Sequence, residues 1–200
     1  MNVLILGGFL GSGKTTALIQ FARYLTDISD QERKYKVVII ENEIGEVGID
    51  DQFLRGSGYK VDNLFDGCAC CTVSGELMTS IIKIRDDMDP EWIIVEATGV
   101  AFPTSMQESM KQAIDYDSII CILVDASRWM RLRIPLATML IEQIKGSNTV
   151  LINKIDLVED DVVTEIQRDI QEIEPNTKVL PISAIGEVDH VIWRTVAGLE

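Results

Sequence analysis

Short apolar runs alternate with stretches of helical period along the chain. The runs are Val3–Leu6, Lys36–Ile40, Trp92–Val95, Ser118–Val124, Thr149–Ile152 and Lys178–Ile182, rich in valine and isoleucine and nearly unbroken. Strands buried on both faces read this way, because neither face meets water. Between them, Ala17, Leu18, Phe21, Ala22 and Leu25 share one helical face, and Val162, Val163, Ile166, Ile170 and Ile173 share another. Leu77, Met78, Ile81, Ile82 and Arg85 fit a helix beginning near Ser74. Pro135 interrupts the pattern from Trp129 to Ile144 and predicts a break there, since proline lacks an N–H and crowds the preceding turn. Strand-helix alternation of this kind predicts an α/β fold with a mostly parallel central sheet and helices on both faces. One segment departs from it. Glu41 to Val61 carries Gly45, Gly48, Gly56 and Gly58, several acids and little periodicity, and is expected to form a mobile loop or a small hairpin.

The 200 residues suit one sizeable domain, and residues 1–200 read as a single unit with no repeat or linker. At 46% apolar and 25% charged residues the chain can build a real core, which excludes disorder. A net charge of -14 repels phosphate backbones and anionic lipid, arguing against a nucleic-acid or membrane role. The longest apolar stretch, Ile119 to Val124, is too short to span a bilayer. Val3–Leu6 has no basic flank and leads into glycines, so it reads as a buried strand and not a signal peptide. Three of the four cysteines crowd into Cys68-Ala69-Cys70-Cys71, which is not a disulfide framework, and a reducing cytoplasm is the expected setting.

The first run leads into Gly8-Phe9-Leu10-Gly11-Ser12-Gly13-Lys14-Thr15, matching G-x-x-x-x-G-K-[ST] without exception. Glycines let the backbone curl so that several N–H groups point at one anion, and the helix that follows adds its positive N-terminal end. Lys14 is expected on the β and γ phosphates and the Thr15 hydroxyl on Mg²⁺, with Thr16 completing the phosphate site. Far downstream, the run Thr149–Ile152 ends in Asn153-Lys154-Ile155-Asp156, an N-K-x-D guanine signature. A carboxylate at Asp156 accepts from guanine N1–H and its amino group together, whereas adenine would leave it unpaired. Asn153 is expected to brace the loop and reach N7, and the stem of Lys154 to cover the base. Ser183-Ala184, after the last run, stands where GTPases offer a backbone N–H to guanine O6. Together these segments make the chain a P-loop NTPase that selects GTP.

The blocks Gly7 to Thr16, Glu41-Asn42-Glu43 continuing to Gly45-Glu46, Gly67-Cys68-Ala69-Cys70-Cys71, Glu96-Ala97-Thr98-Gly99 and Asn153 to Asp156 occur in that order. The chain thereby resembles the CobW-like GTPases, relatives of the nickel-enzyme maturation GTPases of urease and hydrogenase, from Asn2 to about Val196. The resemblance implies a GTPase that handles zinc, cobalt or a similar ion, as a metallochaperone or in cobalamin and metalloenzyme assembly. Many such proteins carry a second C-terminal domain and a His-rich stretch; neither is read here, and His190, the single histidine, is expected at a surface or in a helix.

Three thiols within four residues offer soft anionic ligands of the kind Zn²⁺, Co²⁺ and Cu⁺ favour. In an extended chain Cys68 and Cys70 face one way and Cys71 the other, so binding by all three needs a turn. Two cysteines with a carboxylate would serve equally, and the resemblance points to Glu41 as that carboxylate. Cys121, within a strand, reads as a small core residue. Glu96 ends its strand in the place of the acid that reaches Mg²⁺ through water, and the Gly99 N–H is expected to meet the γ-phosphate. No glutamine stands at an evident water-positioning site; Glu43 or Glu46, or a partner protein, is expected to orient the water, with slow intrinsic turnover. The partners implied are GTP or GDP and a client metalloprotein, with a homodimer among the assemblies left open. Two functions stand: delivery of a transition metal to the client, or nucleotide-gated assembly of a corrinoid or other metalloenzyme around a structural metal.

Overall fold

A computed structural model describes residues 1–29, 36–41, 59–63 and 73–199. In chain order the elements are β1 (Asn2–Gly7), α1 (Lys14–Ile28), β2 (Val37–Glu41), β3 (Tyr59–Asn63), α2 (Val73–Met88), β4 (Trp92–Glu96), α3 (Pro103–Ile114), β5 (Ser118–Asp125), α4 (Ala126–Leu132), α5 (Ala137–Ile144), β6 (Thr149–Asn153), α6 (Asp160–Ile173), β7 (Lys178–Pro181) and α7 (His190–Val196). The seven strands form one sheet in the order β3-β2-β4-β1-β5-β6-β7, and every neighbouring pair is parallel.

Residue alternation distributes the core over two layers. Val3, Ile5, Val38, Ile40, Ile93, Val95, Ile120 and Ile122 pack with α2 to α6 on one face of the sheet. Leu4, Leu6, Val37, Ile39, Ile94, Cys121 and Leu123 pack with α1 and α7 on the other. Both faces are covered, which is why the central runs carry no polar alternation. Cys121 is fully buried, and burial pushes its thiol far above the ordinary range.

The six expected strands are present, and helices begin at Lys14 and Val73 as their patterns imply. The break at Pro135 is present too, α4 ending at Leu132 and α5 starting at Ala137. His190 opens α7 at the surface, its ring 5.4 Å from that of Tyr24. The reading of Glu41 to Val61 as loop or hairpin is corrected at its end. Tyr59–Asn63 is a seventh strand pairing in parallel with β2, which a hairpin cannot do. It lies at the sheet edge, and Tyr-Lys-Val-Asp-Asn lacks the continuous apolar run that marks the central strands. Residues 42–58 lie outside the described residues.

Candidate functional site

The strand ends carry the site. β1 passes directly into the phosphate loop, in which Gly8, Gly11 and Gly13 take φ of 132°, 77° and 95°. Two of these glycines are also required by space. A Cβ on Gly8 would lie 2.2 Å from the Leu123 carbonyl oxygen, and one on Gly13 would lie 2.3 Å from Asn153 Nδ2. Ser12 N–H donates to the Phe9 carbonyl at 3.1 Å and closes the turn, and α1 begins at Lys14 with no side-chain cap on its first N–H groups. The Lys14 ammonium lies across the loop, donating to the carbonyls of Gly8 (3.1 Å) and Phe9 (3.4 Å).

Thr15 and Glu96 lie side by side. The Thr15 hydroxyl donates to Glu96 Oε1 at 3.3 Å, and Glu96 is buried at the end of β4, in register with Leu6 of β1. Oxygen donors of this kind, one hydroxyl and one carboxylate beside a phosphate loop, fit Mg²⁺. Gly99 follows at the same end. A Cβ there would stand 2.8 Å from Leu10 N, so the loop after β4 lies against the phosphate loop; its carbonyl accepts from Gln143 Nε2 at 2.9 Å.

The N-K-x-D segment is bound to the phosphate loop directly. Asn153 is buried; its Nδ2 donates to the Ser12 carbonyl at 2.8 Å, and its Oδ1 accepts from the N–H groups of Ala184 (2.9 Å) and Lys154 (2.8 Å). Lys154 holds a left-handed backbone, φ 64°, rare for a residue with a side chain. From there its ammonium reaches the Gly11 carbonyl (2.6 Å) and Asp125 Oδ2 (2.7 Å). Asp156 accepts from the Ser183 hydroxyl at 2.5 Å. Asn153 thus ties the phosphate loop to the segment Ser183-Ala184, whose Ala184 N–H is donated to Asn153 in this structure.

Asp125 was not singled out by any motif. Burial opposes its ionisation, yet hydrogen bonds from Lys154 and Ser127 outweigh that and hold its carboxyl below the usual range. An aspartate directly at a strand end, before a helical pattern, is the one sequence signal that could have found it.

Of the expected metal ligands, Cys68, Cys70 and Cys71 lie outside the described residues, as does Glu43. Glu41 is placed by its backbone: it ends β2, in register with Glu96 of β4 and with Asn63 of β3. The cysteine block follows Asn63 by five residues in sequence, and α2 opens at Val73 just after it. Among the described residues no group of three or more His, Cys, Asp or Glu side chains could hold a metal, and no helix is long and apolar enough to cross a membrane.

Residues 2–181 match the family model described as CobW/HypB/UreG, nucleotide-binding domain. Zinc-regulated GTPase metalloprotein activator 1 of Dictyostelium discoideum is 26% identical over 222 residues, covering 90% of this chain and 45% of the relative. Zinc chaperone YjiA of Escherichia coli (strain K12) is 37% identical over 106 residues, covering 50% of this chain and 31% of the relative. The chain thus spans half or less of the length of these two relatives. Among solved structures, Zn(II)-bound YjiA GTPase from E. coli has a TM-score of 0.67 at 19% identity, covering 100% of this chain and 63% of that one. HypB from Helicobacter pylori in complex with nickel has a TM-score of 0.64 at 18% identity, covering 98% and 82%. These likenesses establish the shared fold.

Proposed function

The chain belongs to the CobW/HypB/UreG nucleotide-binding family, and from that premise we propose that it binds GTP, hydrolyses it slowly, and couples nucleotide state to capture and delivery of a transition metal. One contact supports the nucleotide half above all others: Asn153 Nδ2 on the Ser12 carbonyl, which makes the guanine-signature loop and the phosphate loop one assembly. In this reading Asp156 accepts from the guanine edge and the Lys154 stem covers the base. The loop N–H groups and Lys14 hold the phosphates, and the Gly99 N–H meets the γ-phosphate. Thr15 and Glu96 would hold Mg²⁺, which when bound neutralises charge on the β and γ phosphates. Glu43 is the proposed water-orienting residue.

The metal half rests on the cysteine block and on the names of relatives, a zinc chaperone and a zinc-regulated metalloprotein activator. Cys68, Cys70, Cys71 and Glu41 are the proposed ligands and Zn²⁺ or Co²⁺ the proposed cargo, passed to a client metalloprotein in the cytoplasm. The register of Glu41 with Glu96 supports coupling, since it puts the proposed cargo ligand and the Mg²⁺ acid on adjacent strand ends, roughly 5 Å apart along the hydrogen-bonding direction.

Co²⁺ titration of the reduced protein tests this reading. Thiolate charge-transfer bands should appear at one ion per chain and vanish in the Cys70→Ala, Cys71→Ala double variant, with GTP binding retained. Co²⁺ affinity should differ between GTP-analogue and GDP states, and metal must then alter nucleotide affinity by the same factor. Absence of the bands removes the metal site; equal affinity in both states leaves a metal but no delivery cycle. Retention of the metal when a client is activated would favour the assembly-factor reading over delivery. Equal affinity for ATP and GTP would refute the base pocket.

A further inference from the structure

Five successive carbonyls of the phosphate loop accept hydrogen bonds from side chains. Gly8 and Phe9 receive the Lys14 ammonium, Leu10 receives Arg128 Nη1 at 2.8 Å, Gly11 receives the Lys154 ammonium, and Ser12 receives Asn153 Nδ2. In a trans peptide the N–H points opposite to the C=O it is bonded through. A donor held on the Leu10 carbonyl therefore fixes the Gly11 N–H on the opposite side of that peptide, free of the donor and available to an anion.

Lys14, Asn153 and Lys154 belong to the motifs; Arg128 and Asp125 do not. Asp125, its side chain 4% exposed, controls two of the donors. Its Oδ1 accepts from the Ser127 N–H (3.0 Å) and hydroxyl (2.6 Å), fixing the first turn of α4 from which Arg128 reaches the loop. Its Oδ2 accepts from Lys154 Nζ, which in turn holds Gly11.

We propose that Asp125 and Arg128 are positioning residues for the nucleotide: acting through Lys154 and through the Leu10 carbonyl, they hold the phosphate loop in its anion-binding curl before the nucleotide arrives. The inference rests on the guanine-nucleotide reading of the site. Neither residue needs to touch the nucleotide, and the gain is preorganisation of a loop whose glycines would otherwise sample many conformations.

Competition binding of GTP, GDP and GMP to the full chain decides it. Arg128→Ala should weaken GDP and GTP about five- to tenfold and GMP less than about twofold, because GMP has only the α-phosphate and lacks the β- and γ-phosphates that the loop and Lys14 grip. Arg128→Lys, which keeps a cationic donor, should recover most of the loss. Asp125→Asn should weaken GDP about tenfold in the unmutated background but less than about twofold in a Lys154→Met background, since the two share one interaction. GDP affinity unchanged in Arg128→Ala, an equal loss on GMP, or an Asp125→Asn loss undiminished by Lys154→Met would each overturn the proposal. Should Asp125→Asn fail to fold, the half-buried Arg128 decides alone. Failure of the unmutated chain to bind GDP would overturn the nucleotide reading as well, so the two failures are told apart.

Discussion

Asn153→Ala removes the side chain that joins the two halves of the nucleotide site, and its effect follows from three contacts. Asn153 is 3% exposed; it donates to the Ser12 carbonyl and accepts from the N–H groups of Ala184 and Lys154. Truncation deletes three hydrogen bonds, each with a net worth of about 1 kcal/mol, and strands the Ala184 N–H, which is itself buried. A loss of about 3 kcal/mol is expected, equivalent to a fall in Tm of about 6–12 °C for a protein of this size. The same change frees the phosphate loop from the guanine-signature loop, so GDP affinity should drop by at least about tenfold, more than the loss of a single base contact. Thermal melting followed by circular dichroism, with and without GDP, measures both quantities. A Tm within about 2 °C of the unmutated protein would show that the contacts do not carry this energy. Normal GDP affinity alongside a lowered Tm would show that the two loops need no tie.

Gly13→Ala forces a side chain into a left-handed backbone and puts its Cβ 2.3 Å from Asn153 Nδ2; a destabilisation of about 2–3 kcal/mol and loss of tight GDP binding are expected, read by melting and by fluorescent-nucleotide titration. Cys121 should resist alkylation in the native protein and react only on unfolding, because it is fully buried and its thiol is held in the neutral form; peptide mass spectrometry showing native labelling at Cys121 would contradict its place in the core. The carboxyl of Asp125 is depressed in the folded state, so its stabilisation is present above the unfolded value near 4 and is lost as pH falls through the lower folded value. The Tm gap between the unmutated protein and Asp125→Asn should therefore narrow as pH falls below about 4, and a constant gap would assign the effect to packing instead.

The fold was legible where burial writes itself into composition. Strands β1, β2, β4, β5 and β6 are covered on both faces, and their short, nearly unbroken runs rich in Val and Ile reflect that burial. Tyr59–Asn63 escaped because an edge strand is paired on one side only and does not need such a run. The phosphate loop and guanine signature were legible because their chemistry is local: glycines, a lysine and a hydroxyl at fixed spacing. Asp125 and Arg128 were not, since their roles depend on Lys154 and Leu10, residues brought near only by the order of strands. The buried donation of the Ala184 N–H to Asn153 was hidden for the same reason, two strand ends meeting through a side chain.

The position of β1 at the middle of an all-parallel sheet has a consequence for how the molecule is made. β1 starts at Asn2, but its two neighbours start at Trp92 and Ser118, so 90 residues separate it from the first partner and 116 from the second. At about 5–20 residues per second the strand waits on the order of 5–20 seconds before either partner leaves the ribosome. During that interval its apolar side chains have no sheet to join, and the segment is exposed to aggregation and to chaperones. The phosphate loop, synthesised ahead of the segments that hold it, can take its curl only after β5, β6 and Asn153 have followed. Nucleotide binding should consequently appear late in synthesis, and a ribosome-stalled chain ending before Asn153 should show none.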